Sequence, residues 1–180
     1  MRNQLAKRLS IDEVRQKCLL VNDGGDSALK KLYALTLDSD QRVATNALWI
    51  FTHLGERSDE CFFAKHDQLI DRALQESNIT KQRLLLTLLV RQPFRKETLR
   101  TDFIDFCVSK ITACSSPYGI RALCMKLAYQ QMKHYPELLQ ELKLTLALLT
   151  QEKLSPALSS ALRQVQEKMR KSHITSQQKC

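Results

Sequence analysis

Glycine and proline are scarce in this chain, with four of each in 180 residues. A β-sandwich needs turn residues about every 8–12 positions, so the scarcity excludes one. Long apolar runs are missing too. The longest, Leu84 to Val90, is interrupted by Thr87, whereas a membrane span needs about 20 apolar residues. No apolar segment follows the charged start Met1-Arg2-Asn3-Gln4-Leu5-Ala6-Lys7-Arg8, which argues against a secretory signal. The six cysteines, Cys18, Cys61, Cys107, Cys114, Cys124 and Cys180, include no C-x-x-C pair. They are expected to be reduced, mostly buried thiols in a cytoplasm. Cys107 and Cys114, seven apart on one helical face, are expected to be core thiols. His53, His66, His134 and His173 lie far apart, and no Cys/His pair has ligand spacing. Neither a metal site nor any cofactor is therefore expected. The four glycines cannot form a P-loop or a G-x-G-x-x-G turn. Ser115-Ser116 and the Asp-rich turns read as helix caps, and no catalytic signature stands out.

What glycine and proline there is falls at helix boundaries or in first turns. Gly24 and Gly25 sit in the turn Asn22-Asp23-Gly24-Gly25-Asp26, and Gly55 follows a periodic stretch ending at Leu54. Pro93 breaks Arg91-Gln92-Pro93-Phe94. Ser116-Pro117 and Ser155-Pro156 each place a hydroxyl before a first-turn proline, and Tyr135-Pro136-Glu137 opens another helix. Ser10-Ile11-Asp12-Glu13 is a capping-box pattern. Between these marks apolar residues recur at helical spacing, as in Ile120, Leu123, Cys124, Leu127 and Ala128. The pattern predicts helices at about 11–21, 27–37, 40–54, 59–75, 80–91, 97–113, 117–133, 137–150 and 156–170, with a possible extra turn in 2–9. One domain is expected over 1–171, followed by a flexible polar tail at 172–180.

The helices pair. Val14, Val43, Leu84, Ile120 and Ser159 occupy matching early positions in successive first helices, at intervals of 29, 41, 36 and 39 residues. Such spacing fits a solenoid whose units bury their apolar faces only by stacking. Three segments carry a family likeness: Asp12-Glu13-Val14-Arg15, Asp38-Ser39-Asp40-Gln41-Arg42-Val43-Ala44-Thr45-Asn46-Ala47-Leu48, and Gly119-Ile120-Arg121-Ala122-Leu123. With Leu54-Gly55 ending the helix that begins in the second of these segments, the sequence resembles HEAT-like, armadillo-type repeats. Arg42 precedes Val43 instead of following it, and the unit at Thr80-Lys81-Gln82-Arg83-Leu84 lacks the turn Asp. The resemblance implies an all-α, right-handed α-α superhelix of about four helix pairs plus a C-terminal capping helix. It also implies a ladder of turn Asp and early Arg residues between repeats. Leu158, Ala161, Leu162, Val165 and Met169 give the last helix one apolar face, as a cap needs. The leucine-rich helix before it, 137–150, is apolar on more than one face and should be sandwiched between neighbours.

Charge is uneven. Lys and Arg number 28 against 19 Asp and Glu, a net +9. Residues 1–90 hold 13 basic and 12 acidic residues, and residues 91–180 hold 15 and 7. Ten of the basic residues lie between Thr80 and Tyr135, the tightest cluster being Arg91, Arg95 and Lys96, with Arg100 one turn on. Phe94 inside that cluster could stack on a base. In a solenoid the second helices line the concave face, which offers Lys30, Lys31, Lys65, Arg72, Arg100 and Lys110 as binding residues. Trp49, with apolar neighbours at i and i+3, is expected in the core. The expected role is a non-enzymatic binding module or scaffold for a protein partner. The alternative is a nucleic-acid-associated protein, because alkylpurine DNA glycosylases are built on HEAT-like repeats with a basic concave face. No catalytic Asp of that kind maps onto this chain.

Overall fold

The computed structural model describes residues 1–149 and 154–177. Among them are eleven α-helices, one short 3-10 turn and no strand. The chain forms two compact units, Met1–Gln92 and a second beginning at Pro93.

The first unit contains α1 (Arg2–Leu5), α2 (Ile11–Asp23), α3 (Gly25–Leu35), α4 (Gln41–His53), α5 (Glu56–Phe63), α6 (His66–Gln75) and α7 (Ile79–Val90). Its helix starts are written into the sequence. The Glu13 amide donates to Ser10 Oγ at 3.2 Å, and the Ser10 amide donates to Glu13 Oε2 at 2.7 Å. Asp40 caps α4 by accepting from the amides of Arg42 and Val43 at 2.8 and 3.3 Å. Asn78 accepts from the Lys81 amide at 3.1 Å, so it performs the service of the missing Asp. Two adjacent glycines make the sharp α2–α3 corner for different reasons. Gly25 has φ of 60°, a left-handed conformation that L side chains resist. A Cβ on Gly24 would lie 2.7 Å from Ala28 Cβ.

First helices stack on one another, α2 on α4 and α4 on α7, while α3 packs on both α2 and α4. Val14, Val21, Leu32, Val43, Ala47, Ile50, Phe51 and Phe62 are fully enclosed. Phe51 meets Phe62 edge-on at 4.7 Å, an arrangement worth about 0.5–1.5 kcal/mol beyond area burial. The helix expected over 59–75 is two helices, broken at Ala64-Lys65, where Lys65 leaves helical geometry at φ −122° and ψ 21°. No Gly or Pro marks that break. It allows α5 to pack on α3 while α6 packs on α7.

The second unit contains a 3-10 turn (Lys96–Thr98), α8 (Thr101–Thr112), α9 (Tyr118–Met132), α10 (Pro136–Leu149) and α11 (Pro156–Gln177). The helix expected from 97 thus begins at Thr101. The cap of α9 is Pro117, with no side-chain bond from Ser116, whereas Ser155 Oγ does accept from the Leu158 amide at 3.3 Å. Here α9 is the central helix: α8, α10 and α11 all pack on it. Its buried residues, among them Ile120, Cys124, Met125, Leu127 and Met132, therefore spread around its circumference. All five apolar residues expected on the face of α11 are buried.

Three further expectations need correction. The sandwiched helix is α9, not α10, since Leu144 and Leu148 of α10 are 61% and 62% exposed. Cys114 is exposed, because α8 ends at Thr112 and the residue lies in the turn beyond it. Helix α11 runs through Gln177, into the segment expected as a tail from 172. Cys180 lies outside the described residues.

Candidate functional site

A helix leaves its last carbonyls without internal partners, and they carry the negative end of its dipole. In this chain several such ends are held by side chains from other helices. Asn46 of α4, itself buried, donates through Nδ2 to the carbonyls of Leu5 and Lys7, both at 2.8 Å. Gln82 of α7 donates to the Ala73 and Glu76 carbonyls at 3.1 and 2.9 Å. Arg72 reaches the Thr36 carbonyl at 2.9 Å and the Thr36 hydroxyl at 3.3 Å. Burial pushes the Arg72 guanidinium below its ordinary pKa, partly opposed by Tyr33 and Glu76. Arg91 donates to the Leu54 carbonyl at 2.6 Å and to those of Phe51, Thr52 and Gly55 at 3.3 Å. Its Nε and Nη2 also reach the two Asp59 carboxylate oxygens, at 3.1 and 2.7 Å. In the second unit Arg121, 2% exposed, donates to the Ile111 carbonyl at 2.9 Å.

A different feature is a groove of about 1010 Å³ between α10 and α11. Second helices elsewhere close on the first helix of the next pair: α3 on α4, α6 on α7, α8 on α9. Helices α10 and α11 instead both pack on α9, and the groove lies between them. Leu139, Leu146, Ala147 and Met169 give it apolar walls. Lys133, Lys143, Arg163 and Arg170 stand exposed around it. The single carboxylate among the described lining residues, Glu167, pairs with Lys171 at 3.0 Å, which lowers its pKa.

A family model described as a HEAT repeat domain matches residues 1–169, nearly the whole chain. The chain belongs to the HEAT repeat family. No curated protein and no solved structure matches it. The layering of this HEAT repeat chain agrees: first helix on first helix in both units, with second helices packed alongside. The expected Asp–Arg ladder takes a different form. Asp38 accepts from Arg2 Nε and Nη2 at 2.7 and 2.9 Å, while Lys81 links α7 to α4 through Gln41 Oε1 at 2.9 Å.

The residues singled out for binding divide by use. Arg72 and Arg91 spend their donors on the carbonyl clasps just described. Arg100 makes a two-point pair with Asp102 at 2.9 and 2.7 Å, which holds that carboxyl below its usual range. Lys65 lies over the Tyr33 ring at 5.1 Å, and Lys110 over the Phe106 ring at 5.4 Å. Lys30, Lys31, Arg95 and Lys96 are exposed. Phe94 is only 7% exposed and stacks on Phe103 at 6.3 Å, so its ring is not offered to a base. Trp49 is half-buried instead of core. It lies edge-on to His53 at 6.0 Å and lines an open surface recess with Arg8 and Arg42. Among the described residues no three His, Cys, Asp or Glu side chains converge as a metal site.

The α10–α11 groove and the clasps were both invisible to charge counting. A signal for the clasps exists: Asn46, Gln82 and Arg121 each interrupt the apolar face of a first helix, at positions where a solvated side chain has no room.

Proposed function

We propose that the chain is a non-enzymatic HEAT repeat module that binds a protein partner in a reducing, cytoplasmic setting. The observation that carries this is the distribution of unused surface. Large aliphatic side chains stand exposed in pairs, Leu19 with Leu20 on α2 and Leu144 with Leu148 on α10. Meanwhile many cations between Thr80 and Tyr135 already have work inside the fold. Lys81 pairs with Glu76 at 2.7 Å, Arg91 and Arg121 clasp carbonyls, and Arg100 pairs with Asp102. A polyanion site needs its cations free to meet phosphates, whereas exposed aliphatic groups suit a protein surface.

Photo-crosslinking in cells is the test. A photoreactive side chain is placed in turn at Leu19, Leu144, Arg83 and Lys96. Discrete protein adducts from at least one position support the reading. Nucleic-acid adducts from Arg83 or Lys96 overturn it, and so does the absence of protein adducts at every position. A parallel titration with labelled duplex and single-stranded DNA at two salt concentrations reports phosphate contacts. Duplex affinity that falls by about 0.9 log units per decade of salt for each of several contacts would favour nucleic acid.

A further inference from the structure

We propose that the groove between α10 and α11 receives an acidic amphipathic helix from the protein partner. The proposal rests on the protein-binding reading above and names the chemistry of one site within it.

Three observations converge on that occupant. The first is the departure from the packing rule of this chain. α3 closes on α4, α6 on α7 and α8 on α9, but α10 stands off from α11. A gap flanked by two helices that share a third as neighbour is a seat for one more helix. Its wall along α10 runs from Pro136 to Ala147, about 16 Å at 1.5 Å per residue. An incoming helix of three turns covers that length.

The second is the apolar wall. Buried Leu146 and Met169 form the floor of the cleft, half-buried Leu139 and exposed Ala147 open into it, and Ala147 leaves room where a larger side chain would fill it. Anchors at i, i+3 or i+4, and i+7 on a partner helix would meet such a surface, and Met adapts to varied shapes. No Phe, Tyr or Trp is among the described lining residues. A single nucleic-acid strand would therefore find no stacking platform.

The third is charge. Lys133, Lys143, Arg163 and Arg170 make no close ion pair with any described residue; Glu167, paired with Lys171, attracts Arg163 and Arg170 at longer range but is one carboxylate against these four cations. A basic or neutral helix would leave this rim uncompensated. Glu or Asp flanking the apolar anchors would complement it from both sides, steering the encounter as well as fixing its register.

The probe is a fluorescein-labelled 16-residue peptide with Leu at i, i+3/i+4 and i+7 spacing and Glu elsewhere, titrated into the intact chain by fluorescence anisotropy. Its controls are the Glu→Lys version, the Leu→Ser version and a 16-nucleotide oligo-dT. The acidic Leu peptide should bind at least about tenfold more tightly than each control. Lys143→Glu with Arg163→Glu should weaken it about tenfold or more, and Ala147→Trp should do so by filling the cleft. Leu19→Ala, on the first unit, should change nothing. Far-UV circular dichroism checks that each variant keeps its helicity; the double charge reversal alters only exposed side chains.

Equal binding of the Leu→Ser peptide or the oligonucleotide would overturn the proposal, since the surface would then be a plain anion site. Absence of binding by the acidic Leu peptide would overturn it as well. Protein adducts from Leu19 or Lys96 alongside that failure would leave the protein-binding reading standing and remove only the groove. Failure of all crosslinks would remove the protein-binding reading and, with it, the partner as the source of the helix, even where the peptide still binds.

Discussion

Replacing Arg91 separates a clasp from a ligand-binding arginine. Its guanidinium makes one short bond to the Leu54 carbonyl at 2.6 Å and three long ones at 3.3 Å to Phe51, Thr52 and Gly55. A hydrogen bond to a charged group contributes about 1.5–3 kcal/mol. The long contacts add little, and a cation at the partly buried end of α4 adds up to about 1 kcal/mol through the dipole. The Asp59 pair is about a quarter exposed, at 25% and 22% on its two sides, so solvent screening limits it to about 1 kcal/mol. These contributions share one group and do not sum fully. Arg91→Ala should therefore cost about 3 kcal/mol, read by urea unfolding followed at 222 nm. Arg91→Lys keeps the charge but loses the planar fork, and should cost about 1–2 kcal/mol. Asp59→Asn should cost less than Arg91→Ala, because the carbonyls keep their donor. An Arg91→Ala variant within about 0.5 kcal/mol of wild type would refute the reasoning. So would Asp59→Asn proving as damaging as Arg91→Ala, because the ion pair would then outweigh the clasp.

Other expectations follow from the same contacts. Asn46→Ala removes the donor to Leu5 and Lys7; it should cost about 1–2 kcal/mol and speed hydrogen exchange at the amides of Gln4, Leu5 and Ala6. Arg2 holds the Asp38 carboxyl below its usual range, and at Glu76 the Lys81 ammonium and the Asn78 amide outweigh burial. Folded values below unfolded ones mean that this stabilisation is full above about pH 5, declines as pH falls past the unfolded values and is lost as pH falls through the depressed ones. A pH series of thermal melts should show that decline, and D38N or E76Q should flatten it. Exposed Cys114 should be alkylated well before Cys18, Cys107 and Cys124, whose sites are buried. Burial also pushes the Cys18 and Cys107 thiols up, which slows their reaction further. Site-resolved mass spectrometry after a brief pulse of iodoacetamide measures the order.

Helix identity was legible in the sequence wherever it rests on local chemistry. Ser10 and Glu13, Asp40, Pro136 and Pro156 set starts within a residue or two of those observed. Pairing was legible too, because an apolar stripe states which face must be covered. The α5–α6 break was not, since it answers to two neighbours, α3 and α7, and no breaker residue marks it. Nor was the opening beside α10. Its leucines were read as a demand for neighbours on several faces, but sequence records only that a side chain is apolar. Leu142 and Leu146 are covered and Leu144 and Leu148 are not, because α10 packs on α8 and α9 and a list of leucines does not say which face those neighbours will take.

The scarcity of glycine and the misleading abundance of arginine have a common cause. Helices often end in a left-handed glycine that turns the chain back and satisfies the last carbonyls. Among the described residues only Gly25 has a positive φ, and it sits at a helix start. The C-terminal boundary residues Leu54, Glu76 and Ala113 are extended, so chain reversal cannot serve the carbonyls behind them. Those carbonyls need donors brought from other helices. Arg91, Gln82 and Arg121 supply them at α4, α6 and α8 in turn. A repeat protein that closes its helices without glycine must spend long donors at successive helix ends. Some of its arginines, here Arg72, Arg91 and Arg121, then serve the architecture and are not available to anions. The cations left for recognition are those at no helix end's service, and around the α10–α11 groove they come with an apolar wall.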